Sequence, residues 1–186
     1  MKQLFKNFSV FLFIAAVSIT ASAQNKNQLP QKEIPADYGY IVKIGDKIPD
    51  FSMTLANGKK ISTGDFKGKI VMLQFTASWC GVCRKEMPEI EKEIWLTNKS
   101  NPKFLLYGID LDEPVEKVQK FAADMKISYP LGLDPGGAIF NLFAEKNAGV
   151  TRNVIIDKNG KIVYMTRLYK EEEFKEMVNV IETLLK

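Results

Sequence analysis

Cys80 and Cys83 are the only cysteines in a chain of 186 residues, and they stand two residues apart in the stretch Trp79-Cys80-Gly81-Val82-Cys83. Sulfur pairs at that spacing hold metal, carry haem, close a small structural loop, or cycle between dithiol and disulfide. A zinc site needs two further ligands, and the chain offers no third cysteine and no histidine. A c-type haem site needs a histidine directly after the second cysteine, where Arg84 stands. No metal and no other cofactor is expected. A purely structural disulfide stays open, although its loop is too short to constrain the unfolded chain much. The redox dithiol is the reading that the spacing favours. Without histidine there is no Ser-His-Asp or Cys-His catalysis either, so acid–base work must fall to other side chains.

The elements around the pair decide whether the chemistry can run. Ile70 to Phe75 is a nearly continuous apolar run, as in a strand buried on both faces. A helix is expected from Cys80, with Met87, Ile90 and Ile94 on one face. The first sulfur then sits at a helix N-terminus, where unpaired N–H groups and the helix dipole favour a thiolate. The second lies one turn on and inward, within reach of a mixed disulfide formed by the first. Arg84 and Lys85 add positive charge.

The rest of the chain alternates. Phe51 to Leu55, the Asn57-Gly58 turn and Lys60-Ile61 predict a hairpin. Phe104 to Ile109 is a second buried strand, and Pro114 opens a helix lined by Val115, Val118, Ala122 and Met125. A short strand near Leu131 and a short helix near 138–143 follow. Val154 to Ile156, the Asp157-Lys158-Asn159-Gly160 turn and Lys161 to Thr166 form a second hairpin, before a last helix from Glu171 to Leu185. Strands alternating with helices imply parallel pairs, and the hairpins add antiparallel ones. The expected fold class is α/β, with a central mixed sheet flanked by helices.

The N-terminus reads as an address. Lys2 and Lys6 precede an apolar stretch from Phe8 to Ile19, and Ala21-Ser22-Ala23 supplies small residues at cleavage positions. The stretch is shorter than the ~20 residues of a spanning helix. Residues 1–23 are expected to be a signal peptide cut before Gln24, with an uncleaved anchor as the alternative. Residues 24–40 are polar, with Pro30, Pro35 and Gly39, and read as a flexible linker. The globular domain then spans 41–186. The net charge of +4 is modest, and no basic block with interleaved aromatics suggests nucleic acid.

The stretch from Phe75 to Pro88, Phe-Thr-Ala-Ser-Trp-Cys-Gly-Val-Cys-Arg-Lys-Glu-Met-Pro, resembles the active-site segment of the thioredoxin superfamily. More closely it resembles the TlpA/ResA-like thiol-disulfide oxidoreductases, and the resemblance covers Val42 to Lys186. It implies a thioredoxin-like fold with an N-terminal β-hairpin and an inserted helix at 115–125. It implies Cys80 as the exposed attacking cysteine, Cys83 as the buried resolving one, Trp79 packed beside them, and Pro88 kinking the helix. Plain core packing is the bland alternative for Trp79. Glu86 matches a glutamate placed near the sulfurs, where it could relay protons for Cys83; a solvated helix carboxylate is the alternative. Gln74 stands where thioredoxin has a buried Asp.

The sequence departs from the superfamily where a cis-proline usually faces the dithiol. Thr151 occupies that position, six residues before Asp157. A cis bond before a non-proline costs ~2.5–4 kcal/mol, so a trans peptide is expected between Val150 and Thr151. That loop should face Cys80 and offer backbone groups to a bound peptide. Arg152 beside it resembles the arginine that flanks the peroxidatic cysteine in the peroxiredoxin branch, but a strand-end surface charge is the favoured reading.

The resemblance implies a secreted or periplasmic monomer that reduces protein disulfides and is itself re-reduced by a membrane electron donor of the DsbD type. A peroxiredoxin-like thiol peroxidase is one alternative. Peroxiredoxins place Thr or Ser three residues before the reactive cysteine and Pro seven before, where Ala77 and Leu73 stand. A non-catalytic binding module on the same fold is the other.

Overall fold

The computed structural model describes Leu29 and residues 32–186. The signal-peptide reading, and residues 24–28, 30 and 31 of the linker reading, lie outside the described residues.

Strand β3 (Ile70–Thr76) is the centre of the fold, and all seven of its residues are buried. Its apolar run can be buried because both of its edges are paired. β4 (Phe104–Leu111) runs parallel to it, with Ile70 opposite Phe104 and Thr76 opposite Asp110. β6 (Arg152–Ile156) runs antiparallel on the other side, with Phe75 opposite Arg152. β1 (Ser52–Leu55), β2 (Lys60–Ser62), β5 (Leu131–Asp134) and β7 (Ile162–Arg167) complete a seven-stranded mixed sheet in the order β2-β1-β5-β4-β3-β6-β7. Both expected hairpins form, β1 with β2 and β6 with β7.

Period-2 alternation assigns neighbours in β3 to opposite faces. On the Gln74 and Thr76 face lies helix α1 (Gly81–Glu89), whose Met87 sulfur accepts from the Thr76 hydroxyl. The helix carries Pro88 inside it and widens into a π turn at Ile90–Trp95 before α2 (Leu96–Asn98). Pro88 has no N–H to give the preceding turn, the usual cause of such a disturbance. α3 (Val115–Asp124) packs beside α1, with the Arg84 guanidinium over the Phe121 ring. α4 (Glu171–Leu185) packs against β7 and β3. The opposite face carries an aromatic cluster, in which Phe75 meets Phe140 and Phe143 and Phe51 meets Phe66. The segment near 138–143 is only a single 3-10 turn, Phe140–Leu142.

The described part of the linker region is docked on the domain. Lys32 pairs with Glu173 at 3.3 Å, and the Tyr40 hydroxyl donates to the carbonyls of Thr166 (2.6 Å) and Asn153 (3.2 Å). The polar, proline-bearing composition hid this, because the anchoring contacts join Tyr38 and Tyr40 to Glu173, Arg152 and the Thr166 carbonyl, all more than a hundred residues away.

Candidate active site

The dithiol sits where β3 ends and α1 begins. Cys80 is the residue just before the first turn of α1, and its sulfur accepts the Cys83 N–H at 3.1 Å. The two cysteines are joined as a disulfide. A sulfur at that position takes a backbone donor and the positive end of the helix, which favours its thiolate once the bond is reduced. Cys83 is fully buried, and Cys80 keeps 7% of its surface. Cys80 is therefore less open than expected of an attacking group. Part of the cover is Thr151, whose hydroxyl lies 3.0 Å from the Cys80 sulfur and 3.3 Å from the Cys83 sulfur.

Thr151 thus faces the dithiol, Val150 precedes it at the entry to β6, and both are buried. There is no cis peptide among the described residues, so the bond before Thr151 is trans. A side-chain hydroxyl stands at the sulfurs, in the position where the resemblance leads one to look for a proline.

Glu86 lies one turn beyond Cys83 and is 1% exposed, which overturns the reading of a solvated helix carboxylate. Its Oε1 accepts from Asn153 Nδ2 at 2.7 Å, and its Oε2 accepts from Gln74 Nε2 at 3.2 Å. Gln74 in turn accepts the Tyr129 hydroxyl at 2.7 Å. Burial raises the Glu86 carboxyl to about 7, against the lowering effect of these two amide donors. A carboxyl with that value can take or give a proton near neutral pH.

Trp79 is 64% exposed, so the core-packing alternative fails. Its ring borders a shallow cleft of about 300 Å³ with Leu111, Gly137, Phe140, Asn141 and Lys146. Arg152, expected at the surface, is fully buried. Its guanidinium lies over the Tyr40 ring at 4.4 Å and donates to the carbonyls of Gly149 and Tyr38. The strand-end position misled, because the N-terminal segment folds over that end of β6.

Some of this site escaped the sequence reading. Tyr129 and Asn153 come from separate elements, and nothing in their spacing links them to Glu86. Ser78 is held by Glu113, which accepts its N–H at 2.6 Å and its hydroxyl at 2.7 Å. Asp110, buried beside that contact, could have been suspected as a carboxylate directly following the apolar run of β4.

Residues 43–184 match the family profile described as Redoxin. The chain is 33% identical over 150 residues to the thiol-disulfide oxidoreductase ResA of Bacillus thuringiensis subsp. konkukian, covering 75% of this chain and 80% of that one. It is 59% identical to a candidate protein disulfide isomerase from Bacteroides thetaiotaomicron, whose solution structure superposes with a TM-score of 0.78 over 80% of this chain and 93% of that one. A candidate thiol:disulfide interchange protein DsbE from Chlorobium tepidum is 26% identical, with a TM-score of 0.66 over 77% and 99% of the two chains.

Proposed function

The chain belongs to the Redoxin family, among the TlpA/ResA-like thiol-disulfide oxidoreductases of the thioredoxin superfamily, and from that premise we propose that it reduces protein disulfides outside the cytoplasm. The observation that carries the reading is the Cys80–Cys83 pair at the start of α1, capped by the Thr151 hydroxyl and backed by a buried, proton-ready Glu86.

In the reduced protein the Cys80 thiolate attacks one sulfur of a substrate disulfide. That bond breaks, a Cys80–substrate disulfide forms, and the other substrate sulfur leaves as a thiolate that takes a proton. Cys83 loses its proton, for which Glu86 is the acceptor, and attacks the Cys80 sulfur. The second substrate thiol is released and the Cys80–Cys83 bond is formed. The substrate gains two electrons and the dithiol loses them. A membrane donor of the DsbD type would return them, by likeness to the family. Trp79 and its cleft, with Val150 and Thr151, are the surfaces proposed to receive the substrate chain. We further propose residues 1–23 as an export signal cut before Gln24, and the mature chain as a monomer.

Replacing Cys83 by Ser tests the core of the reading. C83S should accumulate a reductant-sensitive covalent complex with a disulfide-bearing protein such as insulin, and C80S should form none. Absence of the complex, together with no insulin reduction by the dithiothreitol-charged wild type, would overturn it. A peroxidase reading gains no support from Arg152, whose guanidinium is committed to the Gly149 and Tyr38 carbonyls.

A further inference from the structure

Ser78, two residues before Cys80, is gripped at every polar atom it owns. Glu113, on the loop between β4 and α3, accepts its N–H and its hydroxyl. Arg84, from α1, donates Nε–H to its carbonyl at 2.9 Å. The loop carrying Trp79 and Cys80 is thereby tied to α1 on one side and to the entry of α3 on the other.

Behind Glu113 lies a group with no assigned task. Asp110, at the end of β4, is 0% exposed, and no donor among the described residues reaches either of its carboxylate oxygens. A buried carboxylate without a donor is costly, whereas a protonated one becomes a donor itself. Glu113 is the neighbouring carboxylate able to accept that proton. Lys117 of α3 pairs with Glu113 Oε1 at 2.5 Å, the oxygen that also takes the Ser78 hydroxyl, and this cation favours the ionised form of Glu113.

We propose that Asp110 is a positioning residue for the dithiol: in its protonated form it donates to Glu113 and so locks the Glu113 clamp on Ser78, and its ionisation releases the loop. The proposal rests on the oxidoreductase reading only for its consequence, since the latch itself can be seen without catalysis.

The electrostatics agree. Burial first, and then the negative charge of Glu113, push the Asp110 carboxyl up to about 8, with Lys117 pulling the other way. For Glu113 burial would raise the value, but the Lys117 and Ser78 donors and Asp110 outweigh it and hold Glu113 below the usual carboxylate range. The charged groups facing the pair are Glu113 itself, Lys117 from α3 and, across Ser78, Arg84 from α1. From β3, the residue opposite Asp110 is the uncharged Thr76.

Two measurements decide. The Ser78 backbone amide of the oxidised protein, followed by NMR from about pH 6 to about pH 10, should move with one apparent transition on the alkaline side of neutrality. In Asp110→Asn the side-chain amide still donates to Glu113 but cannot ionise, and the Ser78 resonance should stay still. In the reduced proteins, the rate of Cys80 with a small aromatic disulfide should fall several-fold behind that of D110N above the transition, and match it below. A Ser78 amide that ignores pH in the wild type, or the same transition in D110N, overturns the latch. A latch that titrates while no form exchanges disulfides would leave the latch standing and sink the oxidoreductase reading instead.

Discussion

Thr151 and Glu86 are single side chains with separate effects on the sulfurs. A hydroxyl within 3.0 Å of Cys80 can donate to its thiolate after reduction, and a hydrogen bond to a charged group favours that charge. Thr151→Ala should therefore raise the Cys80 thiol and slow its alkylation by iodoacetamide several-fold at neutral pH. Thr151→Ser should restore the wild-type profile. Superimposable pH–rate curves for T151A and the wild type would count against the hydroxyl. Glu86 acts through burial. Its folded value of about 7 lies above the ordinary glutamate value of 4.5, so ionisation works against the folded state. Its contribution to stability is fully present below about pH 4.5, is lost as pH rises, and levels off once Glu86 is ionised above about pH 7. In Glu86→Gln this contribution to the slope vanishes, while that of Asp110 remains. Gln74 can turn its amide to accept from the new one while still accommodating the Tyr129 hydroxyl. E86Q should match the wild type near pH 4.5 and exceed it by about 3 kcal/mol at about pH 8. Urea unfolding of the oxidised proteins across that range checks this, and parallel curves for the two proteins would refute it.

Elements explain which parts of the site could be read in advance. The strand β3, the turn and the start of α1 are contiguous, so an apolar run ending in two spaced cysteines shows the dithiol and its helix together. Thr151 was reachable because its distance from Asp157 is fixed within one strand. Glu86 was visible as a residue one turn after Cys83, but its burial was not. Gln74 of β3, Asn153 of β6 and Tyr129 before β5 meet it only when the sheet is assembled. The π turn after Pro88 was hidden for a related reason: a proline predicts a disturbance but not where the next residues will dock. There, Glu91 is buried and accepts the Ser128 N–H at 2.8 Å and its hydroxyl at 2.6 Å, joining the active-site helix to the approach of β5. Glu91→Ala leaves the Ser128 N–H without that partner. It should cost about 1–3 kcal/mol of unfolding free energy, measured in urea, with the insulin-reduction rate kept. A loss below the error of the measurement would mean that solvent replaces the contact.

At the scale of the whole molecule, the described N-terminal residues 32–40 pack on the domain and bear on where a working domain begins. Arg152 is the largest of the fully buried side chains, and it lies directly after Thr151. Burial lowers its pKa, as expected of a cation drawn from water. It has no carboxylate partner among the described residues; its compensation is the Gly149 and Tyr38 carbonyls and the faces of Tyr40 and Phe140. Two of those four groups precede residue 41. A chain begun at Ile41 would keep every strand and every helix named above, yet leave this cation half covered. Tyr40→Ala tests the point without truncation. It removes the ring 4.4 Å from the guanidinium and the hydroxyl that donates to the Thr166 carbonyl of β7. The expected cost is about 2–4 kcal/mol, with Tyr40→Phe losing only about 1 kcal/mol because the ring remains. Because Arg152 adjoins Thr151, the Tyr40→Ala protein should also alkylate at Cys80 with an altered pH profile, whereas Tyr40→Phe should not. Equal stability of Tyr40→Ala and wild type would show that water covers Arg152 as well as the tyrosine does, and the domain could then be drawn from Ile41.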